Sequence, residues 1–255
     1  MEPWFRCSME VIKEFEMHTV HFVLMGKGGV GKSMSASLLA QALIERARAL
    51  YCADTDPTNM TFAHYKALNV EHFNISDDNA KVDTRKFDAL IIKIAAFEGD
   101  CVVDTGASNF LPLMNYLHEN KIIDLLESTG RRVVLHTPLV GGQAMDETIR
   151  GLQSILEFFS APVVVWVNEY FGKVQKDGVG FKETSLYQNA KKRTLGVVFL
   201  QELTAETSGQ DVANMAKKYL TFDEVLSAPE TDLVTRHRLG IVKKHIFDQL
   251  AKIDL

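Results

Sequence analysis

Apolar residues fall along the chain in short runs, separated by longer stretches in which they recur at helical spacing. The first run, 20–24, reads as a buried strand. A glycine-rich turn follows at once, and 33–50 is rich in Ala and Leu at helical spacing. Tyr51-Cys52-Ala53 is a short apolar run that stops at Asp54-Thr55-Asp56-Pro57. The pattern then predicts a strand over 70–75, a helix over 87–97, a strand over 101–103 ending in Asp104, and a helix over 111–128 broken near Asn120. A strand over 132–136 ends in Thr137-Pro138, and a helix follows over 144–159. The strongly apolar 162–167 is a strand ending in Asn168-Glu169. Gly172, Asp177, Gly178 and Gly180 mark 171–180 as a loop, 195–200 is a strand, and the rest reads as helical to the end.

These strands are apolar on both faces and alternate with helices. That pattern predicts an α/β fold, a mostly parallel twisted sheet with helices on both faces. No Gly/Ser/Pro-rich linker, repeat or low-complexity tract divides the 255 residues, so one domain over 18–255 is expected. Residues 1–17 carry Glu2, Glu10, Glu14 and Glu16, lack the basic start and apolar centre of a signal peptide, and read as an extension outside the core. The net charge of -5 argues against a uniformly basic surface, though it permits a local patch. Of the three cysteines, Cys52 and Cys101 lie in apolar runs. Buried thiols in a reducing cytoplasm are the expectation. No apolar run approaches the roughly 18–20 residues needed to cross a bilayer.

Each polar motif falls at the C-terminal end of a predicted strand, where ligands bind in open α/β sheets. The first motif carries the clearest chemistry. Gly26-Lys27-Gly28-Gly29-Val30-Gly31-Lys32-Ser33 is a phosphate-binding loop between a strand and a helix. Its glycines let successive backbone N–H groups face a phosphate that side chains would block. The helix that follows turns its positive end to the same anion. Lys32 is placed for the β- and γ-phosphates, and the Ser33 hydroxyl for Mg²⁺. A P-loop NTPase using ATP and Mg²⁺ is therefore expected.

Lys27 is more informative, because an ordinary phosphate loop does not require lysine there. Lys-Gly-Gly-Val-Gly-Lys-Ser resembles the deviant Walker A signature of the ParA/MinD family, and the resemblance extends from about residue 19 onward. It implies a nucleotide-dependent homodimer in which Lys27 reaches phosphate in the other subunit. Met34 joins Gly26 through Ser33 in the implied nucleotide-binding set. Asp54-Thr55-Asp56-Pro57 resembles the family's second motif, which makes Asp56 the residue that positions the attacking water and Asp54 a support for Mg²⁺ through water. Phosphoryl transfer is mostly alignment and charge neutralisation, so an acceptor at this place has a clear use. An Asp-Pro turn capping a helix at Thr61 explains the same residues structurally. Asp104 ends a Walker B-like strand and is expected in the Mg²⁺ shell, but the proline common after this Asp is absent from Asp104-Thr105-Gly106-Ala107. Asn168 matches the asparagine that hydrogen-bonds adenine; a turn at a strand end explains it as well. Leu200-Gln201-Glu202 lacks the proline of the family's adenine loop.

Several strings look closer to the conjugal-plasmid branch of that family, the TraL/StbB-like proteins. They are Asp54 to Asn59, Asp104 to Ala107, Gly141-Gly142-Gln143, and Trp166 to Gly172. This branch is linked to plasmid transfer and stability. The implied function is a slow, partner-stimulated ATPase acting as a dimerisation switch, with plasmid DNA or a DNA-bound protein as partner. Two alternatives share the fold: a MinD-like membrane-positioning ATPase and an ATP-dependent metabolic ligase. Over 232–252, Leu239, Val242, Ile246 and Leu250 share one helical face, which suits docking on the sheet better than a membrane. Lys191-Lys192-Arg193 and the C-terminal basic residues suit DNA phosphates or plain solvation equally. Gly141-Gly142-Gln143 fits either a second anion-facing helix start or a simple helix entry. His18 and His136 have no partner cluster in the sequence, so a metal role is not expected of them.

Overall fold

The computed structural model describes residues 17–75 and 82–255. The expected extension therefore lies, up to residue 16, outside the described residues. In chain order the elements are β1 (Thr19–Val23), α1 (Lys32–Glu45), β2 (Leu50–Asp54), β3 (Glu71–His72), α2 (Lys86–Ala96), β4 (Asp100–Asp104), α3 (Phe110–Glu119), α4 (Ile122–Ser128) and β5 (Arg132–Val140). They continue with α5 (Met145–Phe158), β6 (Val163–Asn168), β7 (Gln175–Lys176), β8 (Val179–Gly180), α6 (Ser185–Ala190), β9 (Thr194–Leu200), α7 (Ser208–Lys217), α8 (Phe222–Ser227) and α9 (Leu233–Leu250).

Seven strands form one parallel sheet in the order β3-β2-β4-β1-β5-β6-β9. The expected α/β class, with helices on both faces, is what the chain adopts. Alternating side chains feed two cores. Phe22, Val103, Leu135 and Val165 pack under α2 to α5 through Leu90, Leu113, Ile123 and Leu152. Val23, Val102, Val134 and Trp166 pack under α1, α7, α8 and α9 through Leu39, Met215, Phe222 and Leu239. Both faces are buried, which is why the strands read as continuous apolar runs.

Several boundaries differ from the pattern. The first helix ends at Glu45 rather than Leu50: Ala47 turns left-handed (φ 57°), and Leu50 opens β2. The strand expected over 70–75 is only Glu71–His72, at the sheet edge. β5 runs through Thr137-Pro138 to Val140. The Leu135 N–H donates to Pro162 on the β6 side, and the His136 carbonyl accepts from Leu24 on the β1 side. By alternation the missing N–H of Pro138 faces the β1 side, where the pairing has already ended at Val23↔His136. Within 171–180, β7 and β8 form a small hairpin, turning through Asp177 (φ 52°) and Gly178 (φ 78°). Asp-Gly is the pair that favours this mirror-image turn. The helix break near Asn120 is present, between α3 and α4.

The C-terminal helix docks on the sheet: Leu239, Val242, Ile246 and Leu250 are all buried. Asp232 caps it, accepting from the Val234 and Thr235 N–H groups at 2.9 Å each. Its basic residues have local partners, Arg238 on Asp211 and Lys243 on both Asp223 and Glu45. Arg193 likewise donates to the carbonyls of Leu156, Phe159 and Ala161. No helix of the described residues is long and apolar enough to cross a membrane. Cys52 and Cys101 are buried free thiols, and burial pushes each up to about 12. His136 is not isolated: its ring meets His21 at 3.0 Å and accepts from the Trp166 indole N–H at 3.1 Å.

Candidate functional site

The phosphate loop leaves β1 in the middle of the sheet and ends in α1. Gly29 (φ 75°) and Gly31 (φ 97°) hold backbone that a side chain adopts at a cost. A Cβ at Gly26 would come within 2.9 Å of the Phe110 ring, so glycine there also lets α3 approach. Lys32 is the first residue of α1 and is buried, and its ammonium donates to the Lys27 carbonyl at 3.2 Å. Burial lowers its pKa, while the nearby carboxylates of Asp104 and Asp56 pull it back up. Ser33 is half-buried beside it, and Met34 packs into the core under α1. Lys27 points away from its own loop and pairs with Glu147 of α5 at 2.8 Å, both side chains partly exposed.

Adjacent strands β1, β4 and β2 bring the acidic residues to this loop, with Val23 opposite Asp104 and Asp104 opposite Asp54. Asp104 is wholly buried, and neither carboxylate oxygen has a hydrogen-bond partner. Burial, then the charge of Asp54, pushes its pKa up to about 7; Ser33, Lys32 and the Thr105 N–H draw it down without completing a bond of ordinary geometry. An orphaned carboxylate beside a serine hydroxyl and an open glycine cradle fits a hard cation that keeps several waters and takes one or two protein oxygens. Among the described residues no cluster of three or more His, Cys, Asp or Glu ligands exists to compete with it.

Asp54 is differently employed. One carboxylate oxygen accepts from the Asp56 N–H and the other from the Ala63 N–H, at 2.9 Å each. It thus shapes the loop that carries Asp56, and both oxygens are already engaged. Asp56 uses Oδ1 to accept from the Thr58 and Asn59 N–H groups, at 2.9 and 3.2 Å. The Asp-Pro turn is therefore real, but Thr61 leads only into a 3₁₀ turn, Phe62–His64, without a side-chain cap.

Four residues outside the expected set tie these loops together. The Thr55 N–H and hydroxyl both donate to the Asp104 carbonyl at 3.0 Å. The Thr105 hydroxyl donates to the Val23 carbonyl at 2.7 Å. Buried Asn109 donates to the Thr55 carbonyl, and Gly106 lies directly against Asp56. The missing proline in Asp104-Thr105-Gly106-Ala107 was the one feature of the sequence that drew attention to this segment.

Asn168 ends β6 beside the phosphate loop. Its amide donates to the Val30 carbonyl at 3.2 Å and accepts from the Tyr170 N–H at the same distance. It holds the loop from outside, next to the place expected for a base. Leu200 pairs with Asn168 across β6 and β9, so Gln201 and Glu202 leave the sheet there too. Gly141 is explained by packing, since a Cβ there would meet the Gly172 carbonyl at 2.3 Å, and Gly142 by its left-handed backbone (φ 67°).

No protein-family model matches the chain. Two proteins named TraL from Escherichia coli are 43% and 40% identical to it over 236 residues, spanning 92% of this chain and 98% of each relative. Among solved structures, the MinC:MinD cell division protein complex of Aquifex aeolicus aligns over 88% of this chain and 95% of that one, at 13% identity and a TM-score of 0.48. A plasmid partition protein from Borrelia burgdorferi aligns over 92% and 100%, at 16% identity and a TM-score of 0.46. The sequence relationship is decisive in both identity and span: the chain belongs to the TraL family, and it carries its glycine-rich phosphate loop at the end of a central strand of a parallel sheet.

Proposed function

We propose that this protein is a Mg-ATP-binding and hydrolysing dimerisation switch that acts in plasmid transfer, stability or partition. The observation that carries the ATP reading is the orphaned Asp104 carboxylate beside Ser33 and Lys32, at the rim of a glycine cradle. Backbone N–H groups from Gly28 to Ser33 bind the phosphates, with Lys32 leaving the Lys27 carbonyl for the γ-phosphate. Ser33 and Asp104 would hold Mg²⁺, which would supply charge neutralisation to the phosphates. Asp56 aligns the attacking water with its second carboxylate oxygen. Asn168 fixes the loop and borders the base.

Lys27 exchanges Glu147 for a phosphate of the second subunit, so each site is complete only in the dimer. ATP then favours the closed pair by its differential affinity for that state, and hydrolysis releases it. The plasmid setting rests on the TraL relationship. The membrane reading is not favoured, since α9 spends its apolar face on the sheet.

Nucleotide titration and single-turnover hydrolysis test the site. Lys32→Ala loses ATP binding. Asp56→Ala keeps it but hydrolyses on the order of 100-fold more slowly, the scale of a lost alignment. Wild-type turnover by Asp56→Ala would show that Asp56 does not position the water.

A further inference from the structure

We infer that the segment after β4 positions Asp56: Gly106 provides the seat for its carboxylate, and Asn109 fastens the strand end that carries it. The inference rests on the reading of Asp56 as the water-aligning residue. A Cβ built on Gly106 would lie 2.8 Å from Asp56 Cγ, 2.9 Å from its Oδ1 and 3.1 Å from its Cα. The carboxylate cannot simply rotate aside, because two backbone N–H groups, of Thr58 and Asn59, already hold Oδ1. An added methyl group must break that turn or shift the Asp56 backbone. Gly106 itself has ordinary extended geometry (φ -69°, ψ 154°), which alanine adopts freely. Space, and not conformational freedom, is what glycine supplies here.

Asn109 stands at the N-cap of α3, where an asparagine side chain ordinarily accepts from its own helix. It makes no such cap. Fully buried, it donates instead to the Thr55 carbonyl across the site, and the Ser108 hydroxyl donates to its Oδ1 at 3.3 Å. Thr55 answers by donating twice to the Asp104 carbonyl. The Asp104 loop and the Asp56 loop are thereby joined through Thr55, which Asn109 holds from the other side.

The test is single-turnover ATP hydrolysis and nucleotide affinity of the full chain carrying Gly106→Ala, Asn109→Ala, Asp56→Ala and the pair Gly106→Ala/Asp56→Ala. Gly106→Ala is expected to keep nucleotide affinity while hydrolysis falls on the order of 100-fold, as a misplacement of about 1 Å does. The pair should be no slower than Asp56→Ala alone, since a seat has no value without its occupant. Asn109→Ala should show the same split between affinity and turnover, and it carries the test if Gly106→Ala does not fold. A slow Asp56→Ala with wild-type turnover in Gly106→Ala, or losses that multiply in the pair, overturns this inference alone. Wild-type turnover in Asp56→Ala overturns the underlying reading of Asp56, and this inference with it.

Discussion

Gly31 is constrained twice. Its φ of 97° disfavours any side chain, and a Cβ there would stand 2.8 Å from the Asn168 amide nitrogen. Gly29 has a similar φ of 75°, but nothing lies within 4 Å of its Cβ position. The two glycines therefore separate strain from crowding. Gly31→Ala should lower Tm and weaken nucleotide binding by about tenfold or more, or ~1.4 kcal/mol, because it displaces the amide that holds Val30. Gly29→Ala should do less in both respects. Thermal unfolding and nucleotide titration check the order, and equal effects would show that the Asn168 contact is unimportant. The glycine spacing of this loop was legible in the sequence because the chemistry demands it locally. The bonds made by Asn168 were not legible, since they depend on β6 ending beside a loop more than a hundred residues earlier in the chain.

Three neighbouring strands share one buried polar chain. The Trp166 N–H on β6 donates to His136 Nδ1 on β5, so the His136 proton sits on Nε2 and is donated to His21 Nδ1 on β1. His21 then carries its own proton on Nε2, which has no partner. Both rings are neutral: burial, and then the positive charge of Arg132, Arg48 and Arg46, lowers His21 to about 3, and burial with His21 holds His136 well below its usual value. The unfolded chain takes up protons as pH falls through 6.5, whereas folded His21 does not until about 3. Stability is therefore lost as pH falls through that window. The variant His21→Gln/His136→Gln, whatever its stability at neutral pH, should lose less Tm between about pH 6.5 and 4.5 than the wild type. An equal loss would assign the acid sensitivity to other groups. At this scale the sequence displayed the strands and helices through periodicity, but not their ends. Pro138 reads as a stop, yet it sits in β5 because its partner on that side has already left the ladder. The polar pairing of His136 was hidden because it crosses from one strand to the next.

The whole molecule places one central feature on its surface. Seven strands and two helical layers carry Lys32, Ser33, Asp56 and Asp104 to one end of the sheet. Lys27 starts from the same loop but leaves it for Glu147. That exposed pair contributes little stability by itself. A lysine kept outward and weakly held is consistent with service to a second subunit. The fold class was legible from apolar runs covered on both faces, and the family from the loop and the strings that end β2, β4 and β6. The most direct measurement is molar mass in solution for wild type, Lys27→Ala and Asp56→Ala, each with ADP or ATP plus Mg²⁺. The expected result is a monomer with ADP, a doubling of mass with ATP, persistence of that dimer in Asp56→Ala, and its loss in Lys27→Ala. A mass unchanged by nucleotide in all three proteins would contradict the dimerisation switch and leave a monomeric or constitutively assembled ATPase in its place.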